Sequence, residues 1–304
     1  MMSKPQLLET YKSCNVVTYD NFFYGIPLFL GPINLQDRKA IQNNLYIFRS
    51  TSKDEIYKMI DYRSRFVKRI RMDITNNCNL RCIMCETYNT VEKKEQKYFN
   101  IDNFIKSITP DIIRNLNFIQ LGNIAEPLIH PHFNKFLDHI RNYSEYCGIY
   151  ILTNGTLLHK YYKIINDYKC TMVISVDSLN KETYEYIRSG SNFERIMENL
   201  RLIDTKRVNV SIDQAIMASN IDEYGDFIDY CRKNNFKFTC RSMILKDFRG
   251  IISKRLIDES LWFHRDKINS WKEKYLYKNF DGIVQSQMIK SITPVMKKEK
   301  CTAH

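Results

Sequence analysis

The sequence lacks any run of about eighteen apolar residues, the length at which a membrane span begins to be suggested, and its start carries no export signal. A cytoplasmic protein with no membrane contact is the expectation. The longest apolar patch near the start, Phe22 to Leu35, is interrupted by Gly25, Pro27, Gly31 and Pro32. A disulfide framework is missing as well. Nine cysteines are an odd number, and outside one tight group they are scattered as Cys14, Cys147, Cys170, Cys231, Cys240 and Cys301. That pattern in a chain without an export signal argues against paired bridges. Cys147, Cys170 and Cys231 lie in apolar settings that suit small buried hydrophobes. No long basic block accompanies the net charge of +12; the densest run is Lys297, Lys298 and Lys300. The excess could attract a polyanion, yet it is spread through a chain rich in Lys, Asn, Ile and Tyr. Nucleic acid is therefore not the favoured partner. No internal repeat of fixed period is visible.

The remaining composition, 44% hydrophobic and 26% charged over 304 residues, is that of an ordinary globular chain with one mid-sized domain and appendages. Residues 1–66 read as an accessory unit. Val16 to Tyr19 and Phe22 to Ile26 flank Asp20-Asn21 as a hairpin, and Ser52 to Tyr62 reads as a helix with Ser52 and Glu55 at capping-box spacing. A packing cap is the expected role of this unit, with substrate or peptide docking as the alternative.

From Val67 strands and helices alternate. The strand candidates are Arg69–Thr75, Asn117–Leu121, Gly148–Thr153, Met172–Val176, Val208–Ile216 and Lys237–Met243. Helical segments follow at Ile101–Ile108, Pro131–Tyr143, Leu157–Tyr168, Lys181–Ile187 with Phe193–Ile203, and Ile221–Lys233. Pro131 suits a first helical turn, and Asn180 and Asn220 suit N-caps. The alternation predicts an α/β fold with a parallel sheet covered on both faces. Six units fall short of eight, so a partial TIM-like (β/α)6 barrel over 67–247 is expected, with an open doubly wound sheet as the alternative. Residues 248–304 are expected to form a helical C-terminal extension, aromatic and charged from Ile257 to Lys278.

In both architectures the active-site groups sit at the C-terminal ends of the strands. Four unusual loops occupy such places. DITNNCNLRCIMCE (Asp73–Glu86) follows the first strand, GNIAEP (Gly122–Pro127) the second, TNG (Thr153–Gly155) the third, and SVDS (Ser175–Ser178) ends the fourth. Cys78, Cys82 and Cys85 stand at CxxxCxxC spacing, which suits an iron–sulfur cluster. Three thiolates for four irons leave one iron open to a small molecule, as catalytic metal sites do. A structural zinc site is the alternative, but it prefers four ligands, and the next Cys or His in sequence are His130 and Cys147. His130 and His132 form an HxH pair for which capping or packing is favoured over metal binding.

These motifs, CNLRCIMC, GNIAEP, TNG and ISVDSLNKETYEYIRSG, on successive strands, resemble the radical S-adenosylmethionine enzymes across roughly residues 67–245. Within them the chain is most similar to the peptide- and sulfatase-maturing branch, which often carries a cysteine-rich SPASM or twitch C-terminal domain. The resemblance implies a [4Fe–4S] cluster on Cys78, Cys82 and Cys85 whose fourth iron takes S-adenosylmethionine. Reductive cleavage would then yield a 5′-deoxyadenosyl radical that abstracts hydrogen from a peptide or small-molecule substrate. It implies an electron donor such as flavodoxin or ferredoxin. It places Met84 near the adenine, Glu126 with Gly122 and Pro127 at the methionyl amino group, Ser175 at the ribose or carboxylate, and Arg188 on that carboxylate. Asp177 could instead face the substrate, and Asn154 is a loop-shaping or substrate contact. No residue is singled out as catalytic in its own right.

The chain also departs from that family. Asn123 and Ala125 stand where a more glycine-rich GxGEP loop would carry glycines, and the C-terminal region offers only Cys301 toward an auxiliary cluster. A single-cluster enzyme and a truncated longer parent both remain open. On the last two strands Asp213, Gln214, Arg241 and Met243 are weaker candidates. Alternation sets Asp213 on one face and Gln214 with Ile216 on the other, without saying which points inward. Two other readings stay beside the radical one: a non-radical iron–sulfur or zinc protein, and an RNA-modifying member of the same family.

Overall fold

The structure is a computed structural model and describes residues 4–12, 14–30, 33–37, 41, 44, 47–64, 67–85, 96–242, 254–275 and 284–285. Met243 and Cys301, together with the lysines near Cys301, lie outside the described residues. The chain divides into two compact units. One comprises Met1–Ile70, Asp102–Ile119 and Asp138–Gly148, and the other Arg71–Ile101, Gln120–Leu137 and Ile149–His304. The first unit thus contains two later segments besides the expected residues 1–66, and residues 254–275 fall within the second.

The first unit opens with four strands, β1 (Gln6–Tyr11), β2 (Cys14–Tyr19), β3 (Phe22–Pro27) and β4 (Phe48–Ser50), paired in that order as an antiparallel sheet. The predicted hairpin is β2–β3. Its two turn residues, Asp20 and Asn21, both have positive φ (52° and 62°), the backbone that lets a two-residue turn follow the strand twist. Helix α1 (Lys53–Ser64) buries Ile56 and Ile60 against Cys14 and Val16. Ser52 Oγ accepts from the Glu55 N–H, while the Glu55 carboxylate takes the Ser50 hydroxyl instead of closing a capping box. Strands β1 and β4 were not expected. β1 is exposed over almost its whole length, so its sequence shows no apolar alternation, and β4 has only three residues.

The remaining strands, β5 (Arg69–Met72), β6 (Phe118–Leu121), β7 (Gly148–Thr153), β8 (Thr171–Ser175), β9 (Asn209–Ile216), β10 (Lys237–Ser242) and β11 (Val284–Gln285), form one sheet with neighbours in sequential order. The β7–β8, β8–β9, β9–β10 and β10–β11 pairings are parallel. Helices lie between them: α2 (Ile101–Ser107) and α3 (Pro110–Asn115) before β6, α4 (Phe133–Tyr143) before β7, and α5 (Leu158–Asp167) before β8. Next come α6 (Lys181–Ile187) with α7 (Phe193–Arg201) before β9, and α8 (Tyr224–Lys233) before β10. This is the expected α/β fold of a partial TIM-like barrel, with a seventh short strand that two residues could not announce. Helices α9 (Lys254–Glu259) and α10 (Arg265–Tyr275) lie between β10 and β11. Trp271 and Tyr275 of α10 pack on Tyr224, and the Tyr275 hydroxyl would lie 2.6 Å from any Cβ at Gly225.

Three local expectations change. Both faces of the sheet were expected to be covered; instead β6, β7 and β8 alternate strictly between buried and half-exposed residues. The buried rows are Ile119 and Leu121, Ile149 and Ile151, Met172 and Ile174; the other face lines a lumen. Helix α4 begins at Phe133 rather than Pro131. His130 Nδ1 accepts from the His132 N–H at 3.0 Å, which caps the turn, and His130 Nε2 meets the Phe99 carbonyl at 3.0 Å. Both ring nitrogens of His130 are therefore engaged in packing. Asn220 precedes a short 3-10 turn without capping it. Its side chain accepts from Met217 N–H and donates to the carbonyls of Asp177 and Ala215.

Candidate active site

The cysteine loop is lashed to two other strand-end loops and to the C-terminal end of helix α6. Arg81 N–H donates to Ser189 O (2.8 Å) and Ile83 N–H to Ile187 O (2.9 Å), so the segment after α6 runs alongside it. Glu126 N–H donates to Asn77 O at 2.8 Å, which ties in the GNIAEP loop. Asn79 donates to the Thr156 hydroxyl and accepts from Asn154 Nδ2, which ties in TNG. Behind it, Thr75 and Asn76 pair with the strand-like return at Lys97–Tyr98.

These ties bring donors to the sulfurs. Cys78 Sγ is approached by Leu80 N–H at 3.5 Å and Asn154 Nδ2 at 3.7 Å, and Cys82 Sγ by an Arg188 nitrogen at 3.7 Å. Burial pushes the Cys82 thiol up to about 11, with the Arg188 guanidinium pulling the other way. Burial also raises Cys78. Asn199, buried behind TNG, donates to the carbonyls of both Gly155 and Thr156. Gly155 has φ +76°, and a Cβ there would lie 2.9 Å from Ile174 and collide with Ile196.

Glu126 is fully buried. Its Oε1 accepts from the Thr153 hydroxyl (2.7 Å) and Leu128 N–H (3.0 Å), and its Oε2 from Asn154 N–H (2.7 Å). Burial nevertheless raises its pKa to about 7, against the pull of those donors. A carboxylate offers about four lone-pair sites, so one stays open for a cation. Pro127 opens the short 3-10 turn that Glu126 caps. Gly122 has φ +83°, and a Cβ there would meet Leu152 O at 2.6 Å, so its role is to shape the loop.

The missing glycines of this loop are offset by a residue that carried no assigned role. Asp73 Oδ1 accepts from the backbone N–H groups of Asn123 (2.8 Å), Ile124 (3.0 Å) and Ala125 (3.4 Å). An acid directly after the first strand, ahead of a glycine-poor loop, is the signal that could have found it.

Arg188 sits between the Asp177 carboxylate and the Cys82 sulfur. Its Nε lies 2.7 Å from Asp177 Oδ2, and both side chains are buried. The expectation that Asp177 faces a substrate fails: it is 0% exposed, and its Oδ1 accepts from Ala215 N–H. Burial pushes the Asp177 carboxyl up and the guanidinium draws it back. Asp177 is thus the counterion of Arg188. Met84 packs with Ile83, Ile187, Met217 and Ala215 beside the loop. Ser175 ends β8 on the lumen face, opposite Asp213 of β9.

The profile of the Radical SAM superfamily matches residues 72–231, more than half of the chain. The chain belongs to the radical SAM superfamily. A probable GTP 3′,8-cyclase of Methanococcus aeolicus is 27% identical to it over 236 residues, 76% of this chain and 74% of that protein. A GTP 3′,8-cyclase of Alkaliphilus oremlandii is 30% identical over 177 residues, 56% of this chain and 54% of that protein. The chain therefore spans little more than half the length of that relative. Among solved structures, Streptococcus suis SuiB bound to S-adenosylmethionine matches with a TM-score of 0.55 at 15% identity, over 90% of this chain and 70% of SuiB, a likeness of fold.

Radical SAM enzymes use a [4Fe–4S] cluster and S-adenosylmethionine, act on a substrate and need a reductant. The donor set here fits such a cluster. Three thiols share one loop, and backbone, amide and guanidinium N–H groups aim at two of the sulfurs, the outer contacts that tune thiolate ligands. Among the described residues, no three His, Cys, Asp or Glu side chains converge on a point fit for a single ion. No described helix is long and apolar enough to cross a membrane.

The sheet also answers which face of β9 points inward. Asp213 lines the lumen with Arg241, while Gln214 is fully buried on the opposite face and donates to Asp177 O.

Proposed function

We propose that the rim formed by the cysteine, GNIAEP, TNG and SVDS loops binds a [4Fe–4S] cluster on Cys78, Cys82 and Cys85 with S-adenosylmethionine beside it. The barrel lumen then presents a small-molecule substrate for hydrogen abstraction. When bound, the two cofactors supply an electron and a 5′-deoxyadenosyl radical. The chain's own residues do the rest. The open lone pair of Glu126 receives the methionyl ammonium, a charge-assisted bond that needs a carboxylate. The guanidinium protons of Arg188 that face neither Asp177 nor Cys82 receive the methionyl carboxylate, and Ser175 receives the ribose. Met84 offers the adenine an apolar wall, and the packed rim excludes water from the reacting carbon. Reduction comes from a one-electron protein donor such as flavodoxin or ferredoxin. Residues 1–66 act as an accessory unit.

The observation that carries this reading is the lashing of the cysteine loop to the GNIAEP and TNG loops and to the C-terminal end of α6, which seats Asn154 and Arg188 each 3.7 Å from a thiol. The relatives are named for a reaction on GTP. A nucleotide is one ligand compatible with the reading. The test is anaerobic reconstitution followed by reduction, with 5′-deoxyadenosine quantified by mass spectrometry in the presence of small-metabolite pools. The expected result is 5′-deoxyadenosine from the wild type and none from Cys82→Ala. Equal production by both proteins would refute it.

A further inference from the structure

Closed (β/α)8 barrels are packed solid inside by layers of bulky branched side chains. This lumen is built otherwise. Its lining includes Thr171, Asn209, Ser211 and Thr239, and it leaves a cavity of about 450 Å³, within the size range of small-molecule sites. Short hydroxyl and amide side chains at inward positions remove bulk and supply hydrogen bonds at once. The Ser211 and Thr239 hydroxyls already lie 3.0 Å apart across β9 and β10.

The charge of the lining is one-sided. Among the described residues, Arg71, Lys237 and Arg241 face Asp213 as the only acid of the lining. Arg241 is paired with Asp213. Among the described residues neither Arg71 nor Lys237 has an acidic partner. The cavity therefore carries uncompensated positive charge. Asp213 in turn is 6% exposed, and its Oδ1 has no hydrogen-bond partner among the described residues although the other oxygen holds Arg241. A buried carboxylate oxygen without a donor is a vacancy for one. Asp213 lines the cavity level with Ser175, the first residue of the SVDS loop. Lys237 pairs with Ser211, one inward rung deeper and hence about 7 Å further from the rim at 3.3 Å per residue.

We propose that this cavity takes a small hydroxylated anion, with its phosphate or carboxylate on Lys237 and Arg71 and one hydroxyl donating to Asp213 Oδ1. The proposal rests on the lumen being the substrate chamber of the radical reaction. The depth of the positive charge and the donor vacancy nearer the rim orient the ligand. The anionic end goes down, and the hydroxylated carbons point toward the cysteine loop. Asp213 and Lys237 are thus specificity residues, distinct from the rim residues that meet the cofactors.

The test is calorimetric titration of the reconstituted, S-adenosylmethionine-loaded protein with glucose 6-phosphate, GTP, glucuronate and uncharged glucose. Binding of at least one of the three anions, with glucose at least tenfold weaker, is expected. A phosphate-only or a carboxylate-only response identifies which anion the site prefers, and both support the proposal. Lys237→Met, a change at an exposed side chain, should weaken the preferred anion at least tenfold. Asp213→Asn should weaken the hydroxylated anion about tenfold and inorganic phosphate less than threefold. In both variants the shift that S-adenosylmethionine induces in the paramagnetic spectrum of the reduced cluster should stay as in the wild type. The proposal is overturned if glucose binds as tightly as glucose 6-phosphate, or if Lys237→Met changes affinity less than threefold. It is also overturned if no small anion binds, including the case in which an acidic peptide or an RNA oligomer does. An intact cofactor-induced shift in those cases would leave the radical reading standing and isolate the failure to the ligand class.

Discussion

Replacing Glu126 by Gln keeps the shape of the side chain and removes its charge, which tests how the rim holds a cationic ligand. The carboxyl is fully buried and its pKa is raised from 4.5 to about 7 by that burial. At about 1.4 kcal/mol per pH unit, ionising it in the folded protein costs about 3 kcal/mol more than in the unfolded chain. Because the folded value lies above the unfolded one, this group favours the native state most below about pH 4.5. Its contribution declines as pH rises toward 7 and is flat beyond. Glu126→Gln lifts that penalty but turns an amide N–H toward the Asn154 N–H that Oε2 now accepts, at a cost of about 1–3 kcal/mol. The two nearly cancel, so the melting temperature at pH 7.5 should move by only a few degrees.

Binding should respond very differently. An ammonium left facing a neutral amide loses a buried ion pair, about 3–5 kcal/mol, so S-adenosylmethionine affinity should fall at least hundredfold. In the wild type, affinity should rise roughly fivefold from pH 6 to pH 7.5 as Glu126 ionises, then fall as the ligand's own amino group, near 7.7–8.0, loses its proton. The Gln variant should lose the acid limb and keep the alkaline one. Anaerobic equilibrium dialysis of reconstituted protein measures both. Affinity within threefold of wild type, with the acid limb unchanged, would refute the assignment of Glu126.

Cys78→Ala, Cys82→Ala and Cys85→Ala should each yield folded protein that reconstitutes with little iron, measured by iron and sulfide content and by visible absorbance. Asp73→Ala removes the acceptor of three loop N–H groups. It should cost about 2 kcal/mol, lower the melting temperature by several degrees and weaken S-adenosylmethionine binding. Asp73→Asn should recover most of the stability, because one oxygen takes all three bonds. Asp177→Ala strands the buried Arg188 charge and should cost about 3–5 kcal/mol, with the double variant Asp177→Ala/Arg188→Met restoring part of it in thermal melts. Gly155→Ala forces a left-handed backbone and a collision with Ile196. It should lower soluble yield, and adding Ile196→Ala should relieve only the collision.

The barrel was legible because its buried rows carry Ile, Leu, Val and Met at a period of two, as in Ile149 and Ile151 or Met172 and Ile174. The GNIAEP, TNG and SVDS loops were legible because each stood directly at the end of such a row, and the cysteine loop because of its CxxxCxxC spacing. What the sequence hid depends on partners far along the chain. Asp177 read as an available carboxylate, and only the fold turned it toward Arg188. The direction of Asp213 needed the lumen, since alternation alone gives two faces without names. Asp73 lay in full view, but its value arises from three N–H groups about fifty residues later. Strand β1 pairs at an exposed edge, and β11 has two residues, so neither leaves a periodic signature.

The central claim is that the cysteine rim binds S-adenosylmethionine at an iron–sulfur cluster, and one measurement meets it directly. Paramagnetic resonance of the reduced, reconstituted protein should show a [4Fe–4S]⁺ signal whose g-values and line shape shift on adding S-adenosylmethionine, with both signal and shift absent in Cys82→Ala. A cluster signal that is unchanged by saturating S-adenosylmethionine, or that survives in Cys82→Ala, would contradict the account.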